Sequence, residues 1–72
     1  MELDARGLKC PLPIVRLTQA IKSTSDPEIR VTSDDPAFEA DVAAWCRKTG
    51  HALASLVKEG RVITAVVRKG GA

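Results

Sequence analysis

Aromatic residues are nearly absent from this chain: its 72 residues hold no tyrosine, one phenylalanine and one tryptophan. Phe38 and Trp45 both fall on apolar helical spacing, so they belong to a core rather than to a base-stacking platform. Cysteine is equally scarce. Two thiols without a C-x-x-C pair give no disulfide framework and weaken a dithiol oxidoreductase reading. With the single histidine they make at most three ligands and none of the close pairs of a zinc site, so no metal and no cofactor is expected. Charge of one sign is also lacking. Eleven basic residues are interleaved with nine acidic ones for a net charge of +2, which argues against stable nucleic-acid binding. No run approaches the ~18 apolar residues of a membrane span. The N-terminus, with Glu2 and Asp4, has no apolar signal segment, so a reducing, cytoplasmic setting is expected. The length suits one small domain over residues 1–72, acting as a monomer, with a thin core burying roughly 60% of the unfolded surface.

What is present has a clear order. Met1 to Asp4 reads as a short edge strand, followed by a turn at Ala5-Arg6-Gly7. A helix is expected from Pro11 to about Ser23, with Ile14, Leu17, Thr18 and Ile21 on a buried stripe. Ser23 to Pro27 is a turn cluster, and Glu28 to Ser33 alternates as a strand does. Asp35 as N-cap and Pro36 as first helical residue predict a second helix, with Phe38, Val42, Trp45, Cys46 and Thr49 on its apolar stripe. Gly50 closes it. His51 to Val57 and Val62 to Arg68 read as a hairpin joined by Lys58-Glu59-Gly60-Arg61, and Gly70-Gly71-Ala72 as a frayed tail. The order β-α-β-α-β-β predicts an α/β (more narrowly α+β) fold, a two-layer sandwich with two helices on one face of a four-stranded sheet.

Cys10-Pro11-Leu12-Pro13 is the most informative stretch. Prolines are tolerated in the first turn of a helix, where N–H groups have no intrahelical partner to lose. That puts Cys10 at or beside the N-cap, its sulfur over free amides and the positive end of the helix dipole. A thiol so placed is expected to ionise more easily than a free one. The blander alternative is a small buried apolar residue. Cys46 is the converse case: on the apolar stripe beside Trp45, it reads as structural. His51 reads as a loop or strand-start residue, Asp35 as a helix cap, and Asp4 and Arg6 as a surface pair.

Leu3-Asp4-Ala5-Arg6-Gly7-Leu8-Lys9-Cys10-Pro11-Leu12-Pro13 resembles the L-D-x-x-G-x-x-C-P-x-P signature of the TusA/SirA family of small sulfur-carrier proteins. Asp34-Asp35-Pro36 with Asp41, and Trp45 to His51, resemble that family's second block. The resemblance spans nearly the whole chain and implies the same βαβαββ fold. It implies a sulfurtransferase of the persulfide-carrier type: a cysteine desulfurase or rhodanese-like donor places a sulfane sulfur on Cys10, and an acceptor protein takes it. The end uses it implies are tRNA thiolation, molybdenum-cofactor synthesis or sulfur oxidation. Arg6 and Lys9 are expected to supply positive charge to the sulfur, and Pro11 and Pro13 to keep the turn rigid. The competing class is a non-catalytic regulatory interaction module, one version of which touches nucleic acid. Such a module has no need of a thiol at a helix start.

Overall fold

A computed structural model describes residues 1–70. The expected tail lies outside the described residues from Gly71 onward. The elements are β1 (Glu2–Asp4), α1 (Leu12–Ser23), β2 (Glu28–Ser33), α2 (Phe38–Thr49), β3 (Ala52–Glu59) and β4 (Val62–Arg68). The strands form one sheet in the order β1-β2-β4-β3, with β1 parallel to β2 and the other pairs antiparallel. This is the expected α+β sandwich. No helix among the described residues is long and apolar enough to cross a membrane.

Alternation fixes which sheet face meets the helices. Ile29, Val31 and Ser33 of β2 are buried, as are Ile63, Ala65 and Val67 of β4, while Arg30 is exposed on the other side. The register pairs Val31 with Ala65 and Thr32 with Thr64, so Ala65 points to the core and Thr64 away from it. Helix α1 contributes Pro13, Leu17, Ala20 and Ile21 to the core, and α2 contributes Phe38, Val42 and Cys46. Burying a side chain the size of Leu17 or Phe38 stabilises the fold by roughly 1.5–3 kcal/mol.

Several boundaries differ from those expected, each for a local reason. Helix α1 begins at Leu12 rather than Pro11, and its buried stripe takes in Pro13 and Ala20 while Thr18 is only half-buried. Helix α2 begins at Phe38, because Asp35-Pro36-Ala37 forms a separate turn closed by Phe38 N–H donating to the Asp35 carbonyl at 3.0 Å. Its C-terminal end follows expectation: Gly50 has φ 83° and donates its N–H to the Cys46 carbonyl. The hairpin is tighter than the four-residue link expected. Its strands run on to Glu59 and from Val62, leaving Gly60 (φ 61°) and Arg61 as a two-residue turn. A bulge between Leu53 and Ser55 in β3 inserts Ala54, so that Leu53 and Leu56 both lie on the core side, opposite Val67 and Ala65.

Candidate functional site

The loop between β1 and α1 carries the CPxP segment, and two carboxylates from the far side of the chain hold it. The Gly7 N–H donates to Asp34 Oδ1 at 3.0 Å, and the Cys10 N–H donates to Asp35 Oδ2 at 2.6 Å. Both aspartates follow directly on β2, whose end lies beside that of β1 through the Asp4–Thr32 pairing. The loop's own turns are local: Gly7 has φ 84°, and Leu8 N–H donates to the Ala5 carbonyl at 3.2 Å. The Cys10–Pro11 peptide is cis.

Cys10 is exposed, which removes the buried-residue alternative, but among the described residues no helix N–H donates to its sulfur. Pro11 is the capping position of α1 and makes no side-chain cap, and Leu12 N–H is taken by the Lys9 carbonyl at 2.8 Å. Pro11 and Pro13 have no N–H to offer. The segment that tolerates a helix start therefore leaves it fewer free donors, and the thiol's hydrogen bond goes to a carboxylate instead. The Cys10 Sγ–H donates to Asp41 Oδ2 at 2.9 Å. That hydrogen bond, some desolvation, and the charges of Asp41 and Asp35 push the thiol pKa up from its ordinary value. The acidic thiol expected from the dipole is thus corrected.

The cations expected at the sulfur are also placed differently. Arg6 folds back on Asp4, with Nε to Oδ1 at 2.9 Å and Nη2 to Oδ2 at 3.0 Å, and holds that carboxyl down to about 2. The surface-pair reading of these two is the observed one. Lys9 is exposed, and among the described residues no hydrogen bond or ion pair joins its ammonium to Cys10. Pro11 is exposed at the mouth of the site, whereas Pro13 is fully buried and anchors α1.

An open depression surrounds the sulfur, lined by Cys10, Pro11, Ile14, Asp41, Trp45 and Lys48. Asp41, Trp45 and Lys48 follow helical spacing along one side of α2, a spacing present in the sequence, where Trp45 is assigned to the buried stripe instead. Trp45 donates its Nε1–H to Thr18 Oγ1 at 3.0 Å, joining α2 to α1 below the depression. His51 stacks on the Trp45 ring with centroids 5.2 Å apart, and its Nδ1 accepts the Gly70 N–H at 2.8 Å. That contact makes it an anchor for the strand that precedes Gly70. Cys46 is buried at 4% exposure, where desolvation pushes its thiol pKa up.

The family model described as "Sulfurtransferase TusA" matches residues 1–69. The chain belongs to the TusA family. It is 35% identical over 69 residues to the sulfur carrier protein TusA of Allochromatium vinosum, covering 94% of this chain and 91% of that one. It is 39% identical over 67 residues to a putative sulfur carrier protein of Neisseria meningitidis serogroup A, covering 92% and 90%. Identity reaches 37% over 70 residues with the putative sulfur carrier protein YrkF of Bacillus subtilis. There the match takes in 96% of this TusA-family chain but only 38% of the longer protein. A putative sulfur carrier protein of Aquifex aeolicus is likewise matched over 34% of its length. The crystal structure of a SirA-like protein from Desulfitobacterium hafniense superposes with a TM-score of 0.80 over 96% of both chains, at 21% identity, and so shares the fold.

Proposed function

We propose that this TusA-family chain accepts a sulfane sulfur as a persulfide on Cys10 from a protein donor and passes it to a protein acceptor. The observation that carries the reading is the contrast between the two thiols: Cys10 is exposed in an open depression, and Cys46 is buried. The donor class is a cysteine desulfurase or a rhodanese-like protein. The acceptor belongs to a tRNA-thiolation, molybdenum-cofactor or sulfur-oxidation route, in a cytoplasmic setting, and no cofactor takes part.

The chemistry balances without an oxidant. Cys10 Sγ attacks the outer sulfur of a donor persulfide R–S–S–H. An Sγ–S bond forms, the donor's S–S bond breaks, and its electron pair leaves on the donor thiolate, which takes up the proton that Cys10 loses. Cys10 then bears the persulfide, and the same exchange with an acceptor thiol returns it to the thiol. The Asp34 and Asp35 tethers pre-order the loop, so little conformational entropy is lost when a partner's sulfur approaches in line.

Intact mass measurement tests this directly. Incubation with a desulfurase and cysteine, or with a rhodanese and thiosulfate, is expected to add one sulfur to the wild-type chain and none to Cys10→Ser. A gain that survives in Cys10→Ser, or no gain with either donor, overturns the reading.

A further inference from the structure

Asp41 is a carboxylate aimed at the one exposed thiol, an unusual neighbour for a nucleophile that must lose its proton. We propose that Asp41 sets the direction of sulfur flow: its carboxylate holds the Cys10 thiol of the empty carrier and repels the persulfide anion of the loaded one. The inference rests on the reading of Cys10 as the sulfur-bearing residue.

The empty state is favoured by a charge-assisted hydrogen bond, Sγ–H to Asp41 Oδ2 at 2.9 Å. Loading replaces that hydrogen with sulfur, so the bond is lost. A persulfide is more acidic than its parent thiol, and near neutral pH the loaded residue is an anion beside Asp41. The other charged groups around the loop do not cancel this. Asp35 accepts the Cys10 N–H and adds a second negative charge, and Asp34 accepts the Gly7 N–H. Arg6 is paired with Asp4. Lys9 and, from α2, Lys48 are the remaining cations; Lys48 lines the depression, but among the described residues neither is joined to the sulfur. The site is therefore built to bind the thiol better than the persulfide. The carrier gives up sulfur readily and needs a strong donor to load it.

Asp41 is a positioning residue in this account, and its effect lies in the equilibrium between carriers. An exchange experiment reads it. Wild-type chain, labelled with heavy nitrogen for mass resolution, is loaded and mixed with an equal amount of empty Asp41→Asn. A trace of desulfurase without its cysteine substrate equilibrates the two, and the reverse mixture checks that equilibrium is reached.

Sulfur is expected to accumulate on Asp41→Asn by about three- to tenfold at neutral pH, the factor of an ordinary hydrogen bond, because S–H is a weak donor and the site is exposed. The bias is expected to shrink as pH falls and the persulfide takes up a proton. Asp41→Glu, which restores the charge, is expected to share sulfur nearly equally with wild type. Asp41→Ser supplies a second charge-free variant should the amide weaken the first turns of α2. Equal sharing between wild type and both charge-free variants at every pH overturns the proposal, as does accumulation on wild type. A merely structural contact would lower the unfolding midpoint without moving this partition. If wild type itself takes no sulfur from either donor, the Cys10 reading falls and this inference with it, an outcome distinct from loading with equal sharing.

Discussion

The backbone N–H of Cys10 donates to Oδ2 of Asp35 at 2.6 Å, and Oδ1 of the same carboxylate accepts the Ala37 N–H at 3.1 Å. One side chain thus fixes both the loop that carries the thiol and the turn that leads into α2. Asp35 was expected as the helix N-cap, but Ala37 holds that position and Asp35 instead closes the turn before it and tethers the loop. The position of the sulfur relative to Asp41 depends on it, since Asp41 lies on α2, three residues after the helix begins.

Asp35→Ala removes both bonds. It is expected to cost about 1–2 kcal/mol of stability in urea unfolding and to slow sulfur loading of Cys10. Asp35→Asn keeps an acceptor and is expected to lose less of each. Unchanged stability and loading in Asp35→Ala would make the tether incidental.

The Cys10 thiol is expected to titrate above its unfolded value. Alkylation by iodoacetamide followed against pH, in a Cys46→Ala background, gives the apparent pKa of folded chain and of chain in urea, the latter near the free-thiol value of ~8.5. Because the folded pKa is raised, the stability linked to this group is present below the unfolded pKa and is lost as pH rises through the folded one. A folded midpoint below the unfolded midpoint would restore the helix-dipole account.

Arg6→Ala separates the surface pair from the sulfur site. The Asp4 carboxyl is expected to climb from about 2 toward the usual carboxylate range in an NMR titration, while the Cys10 alkylation midpoint stays put. The sign is opposite to that of the thiol: the Asp4 contribution is present above its unfolded pKa and fades as pH falls through the depressed value. Both side chains are more than half exposed, so solvent screens the pair and little stability is at stake. A moved Cys10 midpoint would return the guanidinium to the sulfur.

Cys46→Ala is expected to cost on the order of 1 kcal/mol through lost packing and to leave sulfur loading intact. Unfolding midpoint and intact mass are read on the same sample. Loss of loading at an unchanged midpoint would give Cys46 a part in transfer.

Local chemistry determined most of the fold. Apolar spacing marked both helices, alternation marked β2, apolar runs marked β3 and β4, and Gly50 and Gly60 marked a helix end and a turn, because each signal depends only on a residue and its near neighbours. The thiol that stands out in the sequence is the one exposed in the structure. Its electrostatics were decided elsewhere. The CPxP segment predicted a sulfur facing amides, but Pro13 has no N–H to offer and Leu12 gives its own to Lys9, and only the packing of α2 beside the β1–α1 loop brings Asp41 to Cys10 across 31 positions. The sheet order is a second such case: the hairpin signal joins β4 to β3, but nothing local says that β4 also pairs with β2. Pairing joins strands distant in sequence, and the inward faces of β3 and β4 match only after the bulge at Ala54 resets the alternation. Sequence determined which elements form and which thiol stands at the surface. Tertiary structure decided what charge that thiol meets, because the field at an atom is summed over neighbours in space.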